Sequence, residues 1–294
     1  MDQSGTTARR YELLLGDRAD SVFKRITLWL AMVGFGVHLL AWLVVYLGAF
    51  EPPANLTPLL ASPLLALYTP FSILLVYEVY QLIQAIPRSF SAAMAKQYEV
   101  IALIVVRDAL AFLATTQTSD PEDSDWFLLL GAKCLAFLTL LAVIVGFNRI
   151  DARSRPSTEI SVRLDQYVRT KQIISILLFG AFVATVLTSL ASWIFATAEG
   201  EEIHLHAGIF FSDLFTFLII ADITILLISY RFTSDFGSLA RNTGFVLSTV
   251  LMRIAIDTPG IGAPILFTMS GVMGLGVLWI TGRFTVIDPP KKMN

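Results

Sequence analysis

The sequence predicts an all-α integral membrane protein of eight transmembrane helices, arranged as two tandem parallel four-helix repeats with both termini cytoplasmic. Three observations predict this fold class: the composition, the placement of the basic residues and a recurrence of charged residues along the chain. Of the 294 residues, 55% are hydrophobic and 15% are charged, whereas a soluble domain is usually about 25% charged. This composition indicates a membrane protein, and no soluble domain of ordinary size fits between the apolar runs.

Apolar runs long enough to cross a hydrocarbon layer of about 30 Å, roughly 17 to 25 residues each, recur from Ile26 to Phe284. We predict spans at 26–48, 63–86, 93–115, 126–148, 172–197, 208–230, 243–257 and 262–282.

The third and seventh spans are the least regular of the eight. The third holds Lys96, Glu99, Arg107 and Asp108, and the seventh is short and holds Arg253. Either segment is open to a second interpretation, as an interfacial or re-entrant helix.

The basic residues support eight crossings, because cytoplasmic loops attract positive charge. Of the 21 lysines and arginines, 18 fall on one side of such a path: in the N-terminal tail, after the second span, between 149 and 171, around the sixth-to-seventh connection and after the last span. The loops on the other side, EPPANLTP, TTQTSDPEDSDW, ATAEGEEIHLHA and DTPGIGA, contain none. Without the third or the seventh span, basic loops would lie on both sides.

The charged residues recur at spacings of 144 to 146 residues, which indicates a tandem duplication. The matched pairs are Arg18 and Arg163, Asp20 and Asp165, Lys24 and Arg169, Glu78 and Asp222, Lys96 and Arg241, and Arg107 and Arg253. Four crossings return the chain to its starting side, so the two copies would be parallel and related by an axis along the membrane normal. The alternative is a coincidence of positive-inside charges at similar loop spacings.

The duplication divides the chain into five segments. They are a cytoplasmic N-terminal tail (1–25), the first four-helix membrane repeat (26–148), a basic cytoplasmic linker (149–171), the second four-helix membrane repeat (172–284) and a cytoplasmic C-terminal tail (285–294).

The candidate functional groups are the two acids Glu78 and Asp222, which the repeat places at matching depth. Tyr77 and Gln81 lie beside Glu78 at helical spacing, so one face of that helix is polar. Ionisable residues within spans commonly mark routes for ions or protons, and no basic residue is expected at the depth of either acid. The alternative is that both acids form structural ion pairs or hydrogen bonds across the bundle.

For the remaining charged groups of the spans we favour structural ion pairs. These groups are Glu99, Arg107, Asp108, Asp213 and Arg253. Asp213 is the acid best placed by depth to meet an arginine. His38 is expected to make a hydrogen-bonded helix contact, and Lys133 to extend along its helix toward the membrane surface.

Other chemistries have weak support. The loop EGEEIHLH combines two histidines with carboxylates, a composition that can hold a divalent metal, but a solvated acidic loop is favoured and no metal or cofactor is predicted. Signatures such as HExxH, GxSxG and GxxxxGK[ST] are missing, so no enzymatic activity is predicted.

The acids Glu78 and Glu99 invite a comparison with voltage-sensor four-helix domains, whose second and third helices carry acids. A voltage sensor also needs a fourth helix with an arginine at every third position, and the fourth span here, WFLLLGAKCLAFLTLLAVIVGF, has one lysine. At about 2.3 kcal/mol per charge per 100 mV, so few charges would sense voltage poorly. The sequence therefore indicates no family.

Together these features predict a polytopic membrane transporter or channel for a small cation, a proton or a small solute, with Glu78 and Asp222 engaging the cargo. The alternative is a non-conducting membrane-embedded sensor or interaction subunit, for which the basic loop 149–171 would dock a partner or anionic lipid. The expected partners are the lipid bilayer and the cargo, with a homo-oligomer left open and no nucleic acid. The compact loops favour a bacterial inner membrane as the location of this multi-pass protein.

Overall fold

The computed structural model describes residues 3–53, 56–87, 89–116, 124–153, 162–199, 207–230 and 236–287, and no strand occurs among them. The α-helices of this part of the chain are α1 (Gln3–Leu15), α2 (Asp17–Tyr46), α3 (Tyr68–Ala85), α4 (Phe90–Thr116), α5 (Ser124–Arg153), α6 (Val162–Glu199), α7 (Ala207–Tyr230), α8 (Phe236–Asp257) and α9 (Gly262–Ile287). Two short 3₁₀ helices, Thr57–Leu60 and Pro63–Leu67, precede α3.

Six helical segments of the described residues are long and apolar enough to cross a membrane. They are Thr7–Tyr46, Pro63–Ala85, Asp125–Ile150, Val168–Ser192, Phe236–Asp257 and Gly262–Arg283. Many large apolar side chains on their outer faces are exposed, as expected where lipid covers the surface. The protein is therefore a multi-pass helical membrane protein.

Two of the eight predicted spans are not among the six. α4 is long enough, but it carries the four charged residues of the predicted third span. α7 extends over 24 residues, Ala207–Tyr230, and its side chains are described over the apolar stretch Phe215–Ile228. The predicted seventh span, by contrast, lies within α8, whose full length qualifies.

α4 lies at the centre of the bundle, and this position explains how a helix with four charged residues is accommodated. It packs against α3, α5, α8 and α9. Met94, Tyr98, Val100 and Ile101 on this helix are fully buried. Because protein rather than lipid surrounds most of α4, its polar groups can find partners on neighbouring helices.

α9 approaches α4 and α8 closely at Gly274. A Cβ atom on this residue would lie 2.0 Å from the Tyr98 hydroxyl oxygen and 3.3 Å from Ser248 Oγ. The hydroxyl of Tyr98 is 2.6 Å from Ser248 Oγ and donates to the carbonyl oxygen of Ser270 at 3.0 Å. The absent side chain thus allows hydrogen bonds to join three helices, as small residues often do between membrane helices.

α5 and α9 pack side by side and run in the same direction. A Cβ atom on Gly271 would contact Val143, and one on Gly146, one turn further along α5, would meet Leu275, one turn further along α9. Contacts that advance together along both helices indicate a parallel pair.

The N-terminal segment 1–25, predicted as a tail, is helical from Gln3 onward and packs on the bundle. The Tyr11 hydroxyl donates to the carbonyl oxygen of Gln84 at 3.0 Å. The side-chain amide of Gln84 donates to the carbonyl oxygen of Leu15 at 2.8 Å. α1 also packs against α6. The sequence contained too little apolar surface in this segment to predict its docking.

His38 fixes α2 to the first turn of α3 and to the 3₁₀ segment before it. Its Nδ1 lies 2.7 Å from Thr69 Oγ1, and its Nε2 lies 3.0 Å from the carbonyl oxygen of Leu59. The hydrogen-bonded helix contact predicted for His38 is confirmed.

Candidate functional site

Asp222 lies in the core of the bundle, on the buried face of α7. Phe215, Leu218, Asp222 and Ile225 recur at spacings of three and four residues and are all buried, whereas Ile223 is exposed. The helical period therefore places the carboxylate inside an otherwise apolar stripe. Asp222 itself is only 2% exposed.

Side chains from α4 and α8 enclose this carboxylate. Gln97 donates from Nε2 to Asp222 Oδ2 at 3.1 Å, and Thr249 Oγ1 lies 3.3 Å from the same oxygen. Thr249 also lies 2.8 Å from Gln97 Oε1 and 3.6 Å from Met94 Sδ. We refer to Asp222, Gln97 and Thr249 as the Asp222 cluster; Gln97 and Thr249 are both fully buried.

The cluster can rearrange its hydrogen bonds without moving its backbone. Thr249 has one hydroxyl proton, so it donates to one acceptor at a time, either to Asp222, to Gln97 or to the carbonyl oxygen of Phe245 at 3.1 Å. A carboxylate, an amide oxygen and a hydroxyl are the hard oxygen groups that a proton or a small cation prefers.

Lys171 of α6 is buried as well, 6% exposed, and interacts electrostatically with Asp222 and Arg241. In the sequence, Lys171 is the last residue of the predicted basic linker 149–171, and neither Gln97 nor Thr249 was predicted as a site residue. A signal for Gln97 was available, since the 145-residue shift carries it onto Asn242, which is buried too.

Glu78 has a different environment from Asp222. Lys96 of α4 lies 3.5 Å from Glu78 and forms a second ion pair with Glu99. The expectation that Glu78 has no basic residue at its own depth is therefore wrong. The short connection between α3 and α4 brings Lys96, near the start of the predicted third span, back beside Glu78.

The polar face of α3 continues the network around Lys96. Lys96 donates to Gln81 Oε1 at 2.7 Å, and Gln81 Nε2 donates to the Tyr77 hydroxyl oxygen at 2.6 Å. Tyr77 in turn donates to Asp20 of α2 at 3.1 Å. The face thus joins α2, α3 and α4, and the side chains of Glu78, Lys96 and Glu99 are 21%, 28% and 27% exposed.

Both carboxylates contact α4 at the same level. Lys96, which contacts Glu78, and Gln97, which contacts Asp222, are consecutive residues. They project from α4 about 100° apart, so Glu78 and Asp222 flank this helix on two different sides.

Toward the other end of α4, two basic residues are buried. Arg107 donates to the hydroxyl of Tyr68 and stacks on its ring, with the guanidinium carbon 4.1 Å from the ring centroid. Lys133 forms an ion pair with Asp108 rather than extending along its own helix toward the surface. The side chains of Lys133 and Asp108 are 9% and 61% exposed.

Arg253 has one partner on its own helix and one on α7. It forms an ion pair with Asp257 one turn along α8 and donates from Nε to Thr216 Oγ1 at 2.9 Å. The side chain of Asp213, the acid expected to meet an arginine, lies outside the described residues, as does the histidine-containing loop 200–206.

Neither candidate acid lines the following two cavities of the described residues. A cavity of about 490 Å³ is lined by Arg107, Lys133 and Asp108, and one of about 150 Å³ by Lys96 and Glu99. Among the residues that the structure describes, no group of three or more His, Cys, Asp or Glu side chains has the arrangement of a metal site.

Comparison of the chain with protein-family models, with curated proteins and with solved structures finds no match.

Proposed function

We propose that the protein is a membrane transporter for a proton or a small cation, with Asp222 as the group that binds the cargo. One observation carries the proposal: the Asp222 carboxylate, 2% exposed, is bonded by neutral donors from two other helices at the centre of the bundle. Ionisable groups inside membrane proteins are costly and are commonly found on ion routes and relays.

The proposal includes eight spans in two parallel repeats, with α2–α5 matching α6–α9 and both termini cytoplasmic. The parallel packing of α5 on α9 supports this arrangement, since a repeat axis along the membrane normal places equivalent helices side by side in one direction. The central position of α4 supports its being a crossing in spite of its charges.

In this arrangement Asp222 belongs to the second repeat and Gln97 to the first. A displacement of one repeat relative to the other would therefore change the number of donors at the carboxylate and so its affinity for a cation. Transporters built from repeats place their binding sites at such interfaces. Lys171 supplies a positive charge that would compete with the cargo for Asp222.

Glu78 has a supporting role in the proposal. It lies at the level of Asp222 on another side of α4, within the partly exposed network of Lys96 and Glu99. Exchange of partners by Lys96 would free one carboxylate at a time for a cation that enters from the protein surface.

Flux through liposomes tests the assignment. Purified protein in vesicles with an imposed ion gradient and membrane potential should show uptake of protons, Na⁺ or K⁺, followed with an internal indicator dye. Asp222→Asn keeps the shape and removes the charge, and it should lower the flux at least about tenfold, the consequence of losing roughly 1.4 kcal/mol or more of cation stabilisation. Glu78→Gln should lower the flux less, because Glu99 remains beside Lys96.

Asp257→Asn is the matched control, since Asp257 is a half-exposed carboxylate paired with Arg253 at the end of α8. It should leave the flux unchanged. Equal fluxes in wild type, Asp222→Asn and the Asp222→Asn, Glu78→Gln double variant, all correctly folded, would remove both acids from the mechanism.

The second candidate function is a non-conducting sensor or interaction subunit. It is favoured by the ion pairing of Glu78 and by the absence of both acids from the linings of the two cavities described above. Thiol labelling separates the two candidates. Thr249→Cys in a Cys134→Ser background should react with a small water-soluble thiol reagent during transport, whereas a dry structural bundle would leave it unmodified.

A further inference from the structure

The cavity of about 490 Å³ is lined by none of the residues of the Asp222 cluster and has a different chemistry. It is bordered by the 3₁₀ segment before α3, by α4 and α5, and by the turn between α8 and α9. Arg107 is ten residues beyond Gln97 along α4, about 15 Å at the helical rise of 1.5 Å per residue. The cavity is thus distinct from the proposed cargo site.

Two buried cations line this cavity. Arg107 is 9% exposed and Lys133 is 8% exposed, and they come from different helices, α4 and α5. One carboxylate, that of Asp108, also lines it and pairs with Lys133. Among the described lining residues, two cationic side chains thus accompany one carboxylate.

The position of α9 adds to this charge. Gly262, the first residue of α9, follows the turn residues Pro259 and Gly260, which border the cavity together with Ala263 in the first helical turn. The N-terminus of a helix carries a partial positive charge and backbone N–H groups that favour anions. Gly260 has a φ of 64°, a conformation that glycine adopts without strain.

The remaining wall of the cavity is apolar. Leu65, Ile104, Val105, Ile256 and Phe267 supply most of it. The size falls in the range of about 300 to 1,000 Å³ that is usual for small-molecule sites, which combine apolar walls with a few placed polar groups. A ligand that matches this lining has an anionic group for the two cations and an apolar portion or small size for the walls.

We propose that this cavity binds a phosphate group, with Arg107 and Lys133 as its ligands. The guanidinium of Arg107, held against the Tyr68 ring, carries planar N–H donors of the kind that bind phosphate oxygens, and the Lys133 ammonium supplies a point charge. The phosphate belongs either to the headgroup of an acidic phospholipid or to a free phosphate ion. The proposal goes beyond the transport function and does not depend on it.

Binding to the purified full chain tests the proposal. For the free ion, the midpoint of thermal unfolding is measured with inorganic phosphate against chloride at equal ionic strength. For the lipid, native mass spectrometry compares retention of phosphatidylglycerol with that of phosphatidylcholine. At least one source should bind, and the affinity for that source should fall about tenfold or more in Arg107→Gln, as expected for loss of a charge-assisted hydrogen bond.

Two further variants make the test independent of a folding defect in Arg107→Gln. Ala111→Phe fills the cavity without removing a charge and should abolish binding, whereas Arg253→Gln should leave it unchanged, because Arg253 pairs with Asp257 outside the cavity. Binding of phosphate alone or lipid alone identifies the source. No binding from either source, or equal binding in wild type and Ala111→Phe, overturns the proposal.

Discussion

Substitution of Gly274 by alanine tests the closest helix approach in the core. The added Cβ would lie 2.0 Å from the Tyr98 hydroxyl oxygen and 3.1 Å from its Cζ. Tyr98 is fully buried and its hydroxyl is held by Ser248 and Ser270. The ring therefore cannot move aside without breaking both hydrogen bonds.

The expected cost follows from three contributions. Overpacking of a core costs about 1 to 3 kcal/mol, and two interhelical hydrogen bonds in a membrane protein contribute about 0.6 kcal/mol each. Replacing a helical glycine by alanine returns about 0.5 to 1 kcal/mol. The net loss in the free energy of unfolding is thus roughly 1 to 4 kcal/mol.

The measurement is equilibrium unfolding of the purified protein in mixed micelles, titrated with sodium dodecyl sulfate and followed by far-ultraviolet circular dichroism. Gly276→Ala is the control on the same helix, because a Cβ there meets nothing within 4 Å. This control should match or slightly exceed the stability of the wild type.

A double-mutant cycle isolates the contact. Tyr98→Phe removes the hydroxyl that the new methyl group would strike, so Gly274→Ala should cost less in that background than in the wild type. Wild-type stability of Gly274→Ala, or strictly additive costs with Tyr98→Phe, would refute the close approach.

Three further predictions concern other parts of the molecule. His38→Ala removes two hydrogen bonds and should lower the free energy of unfolding by about 1 to 3 kcal/mol. Substitution of the exposed Trp29 by alanine should lower it by less than about 1 kcal/mol in the same titration. Equal losses in the two variants would contradict the role of His38. Thr249→Val removes a donor at the buried Asp222 and should cost about 1 to 3 kcal/mol, a loss that Thr249→Ser should not show. Cys134 is exposed on the outer face of α5 and should resist a membrane-impermeant maleimide in intact membranes but react after denaturation, whereas rapid labelling would place that face in water.

The helical pattern of this chain could be predicted because apolar length is a local property. The predicted span 126–148 lies within α5, and the predicted span 26–48 overlaps α2 up to its end at Tyr46, since lipid-facing helices must be apolar over their whole length. α4 was harder to assign because charged residues interrupt its apolar sequence. Its neighbours, not lipid, cover it, so its charged residues reduce its hydropathy without excluding it from the bundle.

The candidate site was predictable in part. A buried acid at position 222 could be inferred from its apolar flanks, whereas the partners of both acids could not. Lys96 lies near the start of the predicted third span and Lys171 at the end of the predicted linker; the fold places the first against Glu78 and the second near Asp222. α6 begins at Val162, before the predicted fifth span at 172, so Lys171 is a helical residue that was predicted to lie in the linker.

The sequence by itself determined that this chain is a helical membrane protein, and it identified which helices carry ionisable groups at similar depth, because depth follows from position along an apolar run. Only the tertiary structure decided which side of each helix meets which neighbour. That choice depends on packing among residues far apart in the chain, such as Gln97 with Asp222 and Tyr98 with Gly274. It gave Glu78 a lysine and left Asp222 with neutral donors at the centre of the bundle.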